Sequence, residues 1–351
     1  MKRSKYKPTT PTWPFALAVL MVFSALTLYV FLVWRGNSDP VIGIEQPNTV
    51  TKTPGIVSPL TGLEMTTTGT NYITAVMVDN HPAARPVVGL AGAAVVYEAP
   101  VEGEYTRFMA IFGNGYTTDN IGPVRSARPY YLDWLAEYGD ALYMHCGGSP
   151  EALSRIKTEK IFDANEFYFG KYYKRDNTRT APHNLYTSVT NWTNLWTDLG
   201  STHTSLNWDG WLFGPVSSTQ FNESALGVKI SYGNGESAEW RYDSTLARYG
   251  RIRGGNPETE ATGAQLMADN VIVQYVAVAG IGDYGRKDLV VVGSGDARVF
   301  RDGKIERGVW KKLDKKSRTR FYTTNGEEIV LKPGITWVQI VPSDRNVTIS
   351  N

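Results

Sequence analysis

The sequence predicts an α/β (or α+β) domain followed by an all-β domain, both carried behind one N-terminal transmembrane helix. Three observations predict it. Residues 13–34 (WPFALAVLMVFSALTLYVFLVW) contain no charged side chain, and about 20 apolar residues span a bilayer as a helix. Between 59 and 205, short apolar runs alternate with helical patterns opened by Ser and Pro, the texture of an α/β or α+β chain. From 226 to 343 the pattern becomes short strands separated by glycine turns, the texture of an antiparallel module.

The first twelve residues carry Lys2, Arg3, Lys5 and Lys7 and no acid. Basic flanks stay in the cytoplasm, so residues 1–12 are expected inside and everything after Arg35 outside. Trp13 and Trp34 stand where interfacial anchors belong. No small-residue cleavage site ends the apolar run, so it is expected to stay as an anchor. Residues 35–58, with Pro40, Pro47 and Pro54, read as an extended linker. The 351 residues leave room for about two domains. A net charge of +2 argues against a nucleic-acid partner, which a strongly basic face would advertise. The single cysteine, Cys146, excludes an internal disulfide and a multi-thiolate zinc site.

The chain then reads in order. Pro59–Gly62 is a turn that opens the folded part. Ile73–Val78 is a buried strand that ends in Asp79-Asn80-His81-Pro82. Ala91–Ala99 and Tyr105–Phe112 form a hairpin about Glu102-Gly103-Glu104. A helix is expected over Pro129–Tyr138, with Pro129 at its first position. Ala141–His145 is a strand, and Ser149 caps a helix that begins at Pro150. A helix over Val189–Leu199 closes the first domain, and 200–226 is its boundary. Strands are expected at 228–232, 238–242, 270–278, 289–292, 297–300, 319–322 and 336–341. Asp302-Gly303 and Asn325-Gly326 are the strongest turn signals.

The chemistry-bearing residues fall into sets. Arg85, Arg107, Arg125, Arg128, Arg175 and Arg179 all lie in the first domain near turns, and a guanidinium fork suits phosphate or carboxylate oxygens. Arg125 and Arg128 are expected at a helix N-terminus, which itself favours an anion. The competing expectation is that these arginines pair with Asp79, Glu98, Glu102 or Asp176. Ser126, Ser149 and Asn184 complete the expected ligand-binding set, with Ser149 also explained as a cap. Asp79, Glu98, Glu102, His145 and His183, with His81, are the acid–base candidates. No compact ligand motif is present, so no metal or cofactor is expected. Cys146 is a poor nucleophile, because its neighbour His145 must point to the opposite face of a strand.

Several runs together resemble a known family. Met77–Pro86, Tyr97–Gly103, Thr106-Arg107, Ile121–Pro129, His145–Pro150 and Ala181–Tyr186 are similar to the YerB-like bacterial envelope (lipo)proteins, a two-part domain of unknown function. Asn270–Tyr275, Gly293–Gly295, Phe300–Gly303, Trp310 and Pro333–Trp337 resemble the family's second part. The resemblance implies an extracytoplasmic place in the bacterial envelope and two parts, near 59–205 and 226–343. Family members typically enter the envelope with a lipidated cysteine, in place of which this chain has the apolar segment 13–34.

The expected function is therefore that of a single-pass, membrane-anchored envelope protein. It would bind an anionic glycan, a phosphate-bearing ligand or a carboxylate through an arginine-rich cleft. A cell-wall hydrolase or transferase using the acid–base set, and a scaffold that meets a protein partner through its β domain, are the alternatives.

Overall fold

In the run Thr74–Asp79 (β1) every residue is buried, as in a strand covered on both faces. The same holds for Val95–Pro100 (β2), Thr106–Phe112 (β3) and Leu142–His145 (β4), with the short Asp163–Asn165 (β5) following. These observations come from a computed structural model. It describes residues 57–65 and 72–351, apart from 114, 117, 201–208, 217, 218 and 344, together with residue 29 alone. The expected membrane helix over 13–34 lies outside the described residues, and no helix among those described is long and apolar enough to cross a membrane.

The helices are few and short; the longer ones are Pro129–Leu135 (α1), continued by a 3-10 turn to Tyr138, Pro150–Thr158 (α2) and Val189–Asp198 (α3), with a single turn at Glu166–Phe169. Ser149 caps α2 by accepting the Ala152 N–H, as expected. The C-terminal part is mostly β. Its main strands are Gly227–Gly233 (β6), Glu236–Asp243 (β7), Arg248–Arg253 (β8), Asn270–Ile281 (β9) and Gly293–Arg301 (β10). Lys304–Lys312 (β11), Arg320–Thr323 (β12), Thr336–Pro342 (β13) and Val347–Ser350 (β14) follow. Asp302 and Gly303, at φ of 52° and 71°, make the two-residue turn that joins β10 to β11, the backbone twist hairpins favour.

The sequence expects an all-β domain that follows the α/β domain and either packs behind it or supplies partner contacts. Instead the two interleave in one twelve-stranded sheet, ten strands of which run in the order β12-β11-β10-β9-β13-β2-β3-β1-β4-β5, with the short strands Lys287–Val290 and Glu223–Ser224 off that path. Residues 55–351 form one compact unit. The seam is β13, parallel to β2 on one side and to β9 on the other, so Thr336 lies between Val95 and Asn270. Parallel partners are remote in sequence, which is why no local pattern reveals this pairing. A second, six-stranded sheet contains β8, β7, β6 and β14.

Alternation along the strands makes two cores. Ala75, Met77, Tyr97 and Val338 face α1, where Tyr131 and Trp134 cover them. Val76, Phe108, Phe112 and Trp337 face the second sheet and α3. There Trp240 packs against Trp337 at 5.0 Å and Trp192 against Phe112 at 5.2 Å. One ion pair spans the two sheets. Glu98 of β2 accepts two bonds from the fully buried Arg251 of β8, at 2.7 and 3.1 Å.

Candidate functional site

The parallel strands β1 and β4 part beyond Val76 and Met144. Into that gap runs the stretch Ile121–Ala127, in extended form. Asp79 N donates to Pro123 O at 2.8 Å and Arg125 N to Met77 O at 2.9 Å. On the β4 side, Cys146 N donates to Arg125 O at 3.1 Å and Ala127 N to Gly147 O at 3.0 Å. This strap fills the crevice at the carboxyl ends of the parallel strands, the place where α/β sheets hold ligands. Its outer edge is tied to the segment 185–187 through Ile121 and Val124. That segment belongs to a small ribbon in which Lys174–Arg175 pairs with Leu185–Tyr186. The ribbon brings Arg175, Arg179 and His183 over the strand ends.

A polar cluster results at the end of β1. Asp79 Oδ2 receives His183 Nδ1 at 2.7 Å and stands 2.9 Å from Arg125 Nε. That arginine contact is an ion pair without hydrogen-bond alignment, so the Nε–H stays unpartnered. Burial pushes the Asp79 carboxyl up, but Arg107, Arg125, the His81 N–H and His183 together outweigh it and hold it below the ordinary range. His81 stacks on His183 with ring centres 4.8 Å apart and meets the edge of Tyr105 at 4.5 Å. Burial and the neighbouring His183 lower its pKa. Arg107 is buried, with Nη1 donating to Ser126 O at 2.7 Å and Nε lacking any partner.

Beside this cluster lies a groove of about 720 Å³. Arg85, Lys174, Arg175 and Arg179 line it, with Asp176 as the one carboxylate in the wall. Among the described residues Arg179 forms no salt bridge. It donates to Tyr186 Oη at 2.6 Å and to the carbonyls of Ala83, Arg85 and Pro86. Arg85 is tied to Asn80 and to Glu236. Arg175 reaches Glu166 and Asn184, and Asn184 in turn braces the ribbon backbone.

The expected site residues thus divide. Asp79, His183, Arg107 and Arg125 meet at the strand end, and Arg85, Arg175 and Arg179 line the groove. Ser126 contributes its carbonyl to Arg107. Arg128 leaves the site: it makes two bonds to Glu102, at 2.7 and 2.8 Å, so these two neutralise each other. Arg125 is also not at the helix start, since the strap is extended and α1 begins at Pro129. Two acid–base candidates are structural. Glu98 is saturated by Arg251, Asn80 and Thr106. His145 is fully buried, with its ring nitrogens against Gly147 O and Asp163. Ser149 is buried as a helix cap. Burial and Glu166 raise the Cys146 thiol, consistent with a packing role. Lys174, Tyr105 and the pairing role of His81 were not singled out from sequence. The basic run Lys174–Arg179 was the available signal.

This chain belongs to the family described as protein of unknown function (DUF3048). The family's N-terminal domain matches residues 60–204 and its C-terminal domain matches 228–338. It is 30% identical over 329 residues to a Bacillus subtilis (strain 168) protein named "Putative lipoprotein YerB", covering 92% of this chain and 95% of that one. The crystal structure of the YerB protein from Bacillus subtilis is similar with a TM-score of 0.74, over 84% of this chain and 99% of the other. The resemblance read from the motifs is therefore correct.

Proposed function

We propose that this is a bacterial envelope protein, tethered at its N-terminus, that binds an anionic ligand in the groove beside the strand-end cluster. The observation that carries the reading is the lining: Lys174 and Arg179, which form no salt bridge among the described residues, beside Arg85 and Arg175, which are braced by Glu236 and Glu166, with Asp176 in the wall. Guanidinium forks around a concave surface suit the oxygens of a phosphate-bearing or carboxylate-bearing glycan. The name of the Bacillus subtilis relative supports the location. The apolar run 13–34 supports an anchor of a different kind from a lipid.

Binding is measured by titrating the chain with inorganic phosphate and with a purified phosphate-bearing cell-wall glycan. The polymer is expected to bind more tightly as salt is lowered, because exposed charges attract it. The double variant Lys174→Glu, Arg175→Glu should weaken it about tenfold or more, on the order of 1.4 kcal/mol. Unchanged affinity in that variant would remove the groove as the site.

A further inference from the structure

The two stacked imidazoles at the strand end are held in different tautomers. His81 Nδ1 accepts the Ala83 N–H at 3.1 Å, so the neutral ring carries its proton on Nε2. His183 Nδ1 lies 2.7 Å from the ionised Asp79, which can only accept. Its proton is therefore on Nδ1 and its lone pair on Nε2. Among the described residues neither Nε2 has a hydrogen-bond partner. The rings lie nearly parallel, 15° apart, with centres 4.8 Å apart, so one ring offers a donor and its neighbour a lone pair within the same cluster. Arg125, a quarter exposed, stands closest to Asp79 through Nε, and its two terminal nitrogens make no hydrogen bond among the described residues. Behind it, the buried Arg107 adds a second positive charge facing Asp79, and its Nε has no hydrogen-bond partner.

We propose that Asp79, His81, His183 and Arg125 form a hydrolytic site for carboxylic esters, acting on an O-acyl group of the groove-bound glycan. The polymer's identity rests on the reading above; the chemistry does not. His183 Nε2 removes a proton from water as the water oxygen bonds to the acyl carbon. The carbonyl π pair moves onto its oxygen, where the His81 Nε2–H donates and Arg125 supplies the opposite charge. When that pair returns, the acyl C–O bond breaks, and the leaving alkoxide takes the proton from His183 Nε2. Ester and water become carboxylic acid and alcohol, and no redox partner is consumed. Asp79 is the positioning residue that holds the His183 tautomer. His81 is neutral in this arrangement, because its Nδ1 accepts the Ala83 N–H while Nε2 donates. Its surroundings are His183, Asp79, Arg125, Arg85 and Tyr105, and burial with the three cationic or imidazole neighbours outweighs Asp79 in keeping it so.

The test uses the full chain, with 4-nitrophenyl acetate as a small ester and an O-acetylated cell-wall glycan as the polymer. Wild type should release acetate from both. His183→Asn should lose about 10²–10⁴-fold. Arg125→Ala should lose about 10²-fold while its melting temperature holds. No hydrolysis by folded wild type, or an undiminished rate in His183→Asn, overturns the proposal. If His183→Asn does not fold, Arg125→Ala decides, and an unchanged rate there overturns it. Retention on the glycan is read separately, so failure of the groove and failure of the ester chemistry give different results.

Discussion

Glu98 and Asp79 are both buried carboxylates on the central sheet, 1% and 3% exposed, yet they serve different ends. Glu98 accepts from Asn80, Thr106 and both terminal nitrogens of Arg251, whose guanidinium lies 5.2–5.6 Å from the rings of Phe108, Trp240 and Trp337. Every charge there is answered and sealed between two sheets. Asp79 meets His183 and Arg125, and both partners keep nitrogens that nothing in the described chain fills. The lesson is that burial alone does not mark a functional acid. An ion pair whose donors are all used is structural, and one whose donors are left open can receive a ligand.

The contrast can be broken most sharply at Arg251. Arg251→Ala leaves Glu98 buried and unpaired, and urea denaturation should show a loss of about 3–5 kcal/mol. A loss under about 1 kcal/mol would mean that the sealed junction is not what holds the sheets together. At the open site, Asp79→Asn should cost about 1–3 kcal/mol at neutral pH, with a pH signature. The folded Asp79 pKa is depressed, so its stabilisation is full above the unfolded value of about 3.9 and is lost as pH falls through the folded value. Thermal melts taken from pH ~5 to pH ~3 should therefore fall more steeply for wild type than for Asp79→Asn. Parallel slopes would show that the carboxylate is not stabilised as described. Arg128→Ala removes two bonds from the partly exposed Glu102 and should cost about 1 kcal/mol in the same assay. Arg125→Ala should change stability by less than about 0.5 kcal/mol, since Asp79 keeps His183. A large destabilisation there would turn Arg125 into a structural residue and weaken the comparison.

Much of the fold is legible in the sequence. The strands at 74–79, 106–112, 142–145 and 336–342 are mostly apolar runs, and Ser149-Pro150 announces its helix. The strands Arg248–Arg253 and Lys304–Lys312 escape a hydropathy reading, because arginine, lysine and glycine occupy half of each or more. Arg251 in particular reads as a surface residue and is fully buried. The candidate site is legible as an inventory of arginines, carboxylates and histidines. Which of them meet is not, because Asp79 and His183 are 104 positions apart and Glu98 and Arg251 are 153 apart.

For the stretch Ile121–Tyr131, sequence places Pro129 at a helix start, and the helix begins there. Sequence also puts Arg125 and Arg128 together at one anion site, and the fold separates them. The extended strap between β1 and β4 sends Arg125 to Asp79, and Arg128 reaches back to Glu102. Local order, such as strand period, helix caps and turn residues, was determined by the sequence alone, because it depends on neighbours a few residues away. The interleaving of the two parts in one sheet, and with it the choice between a saturated and an open carboxylate, was decided only in three dimensions. Pairing between remote strands depends on which buried faces and charges can be satisfied together, and no window of the chain contains both partners.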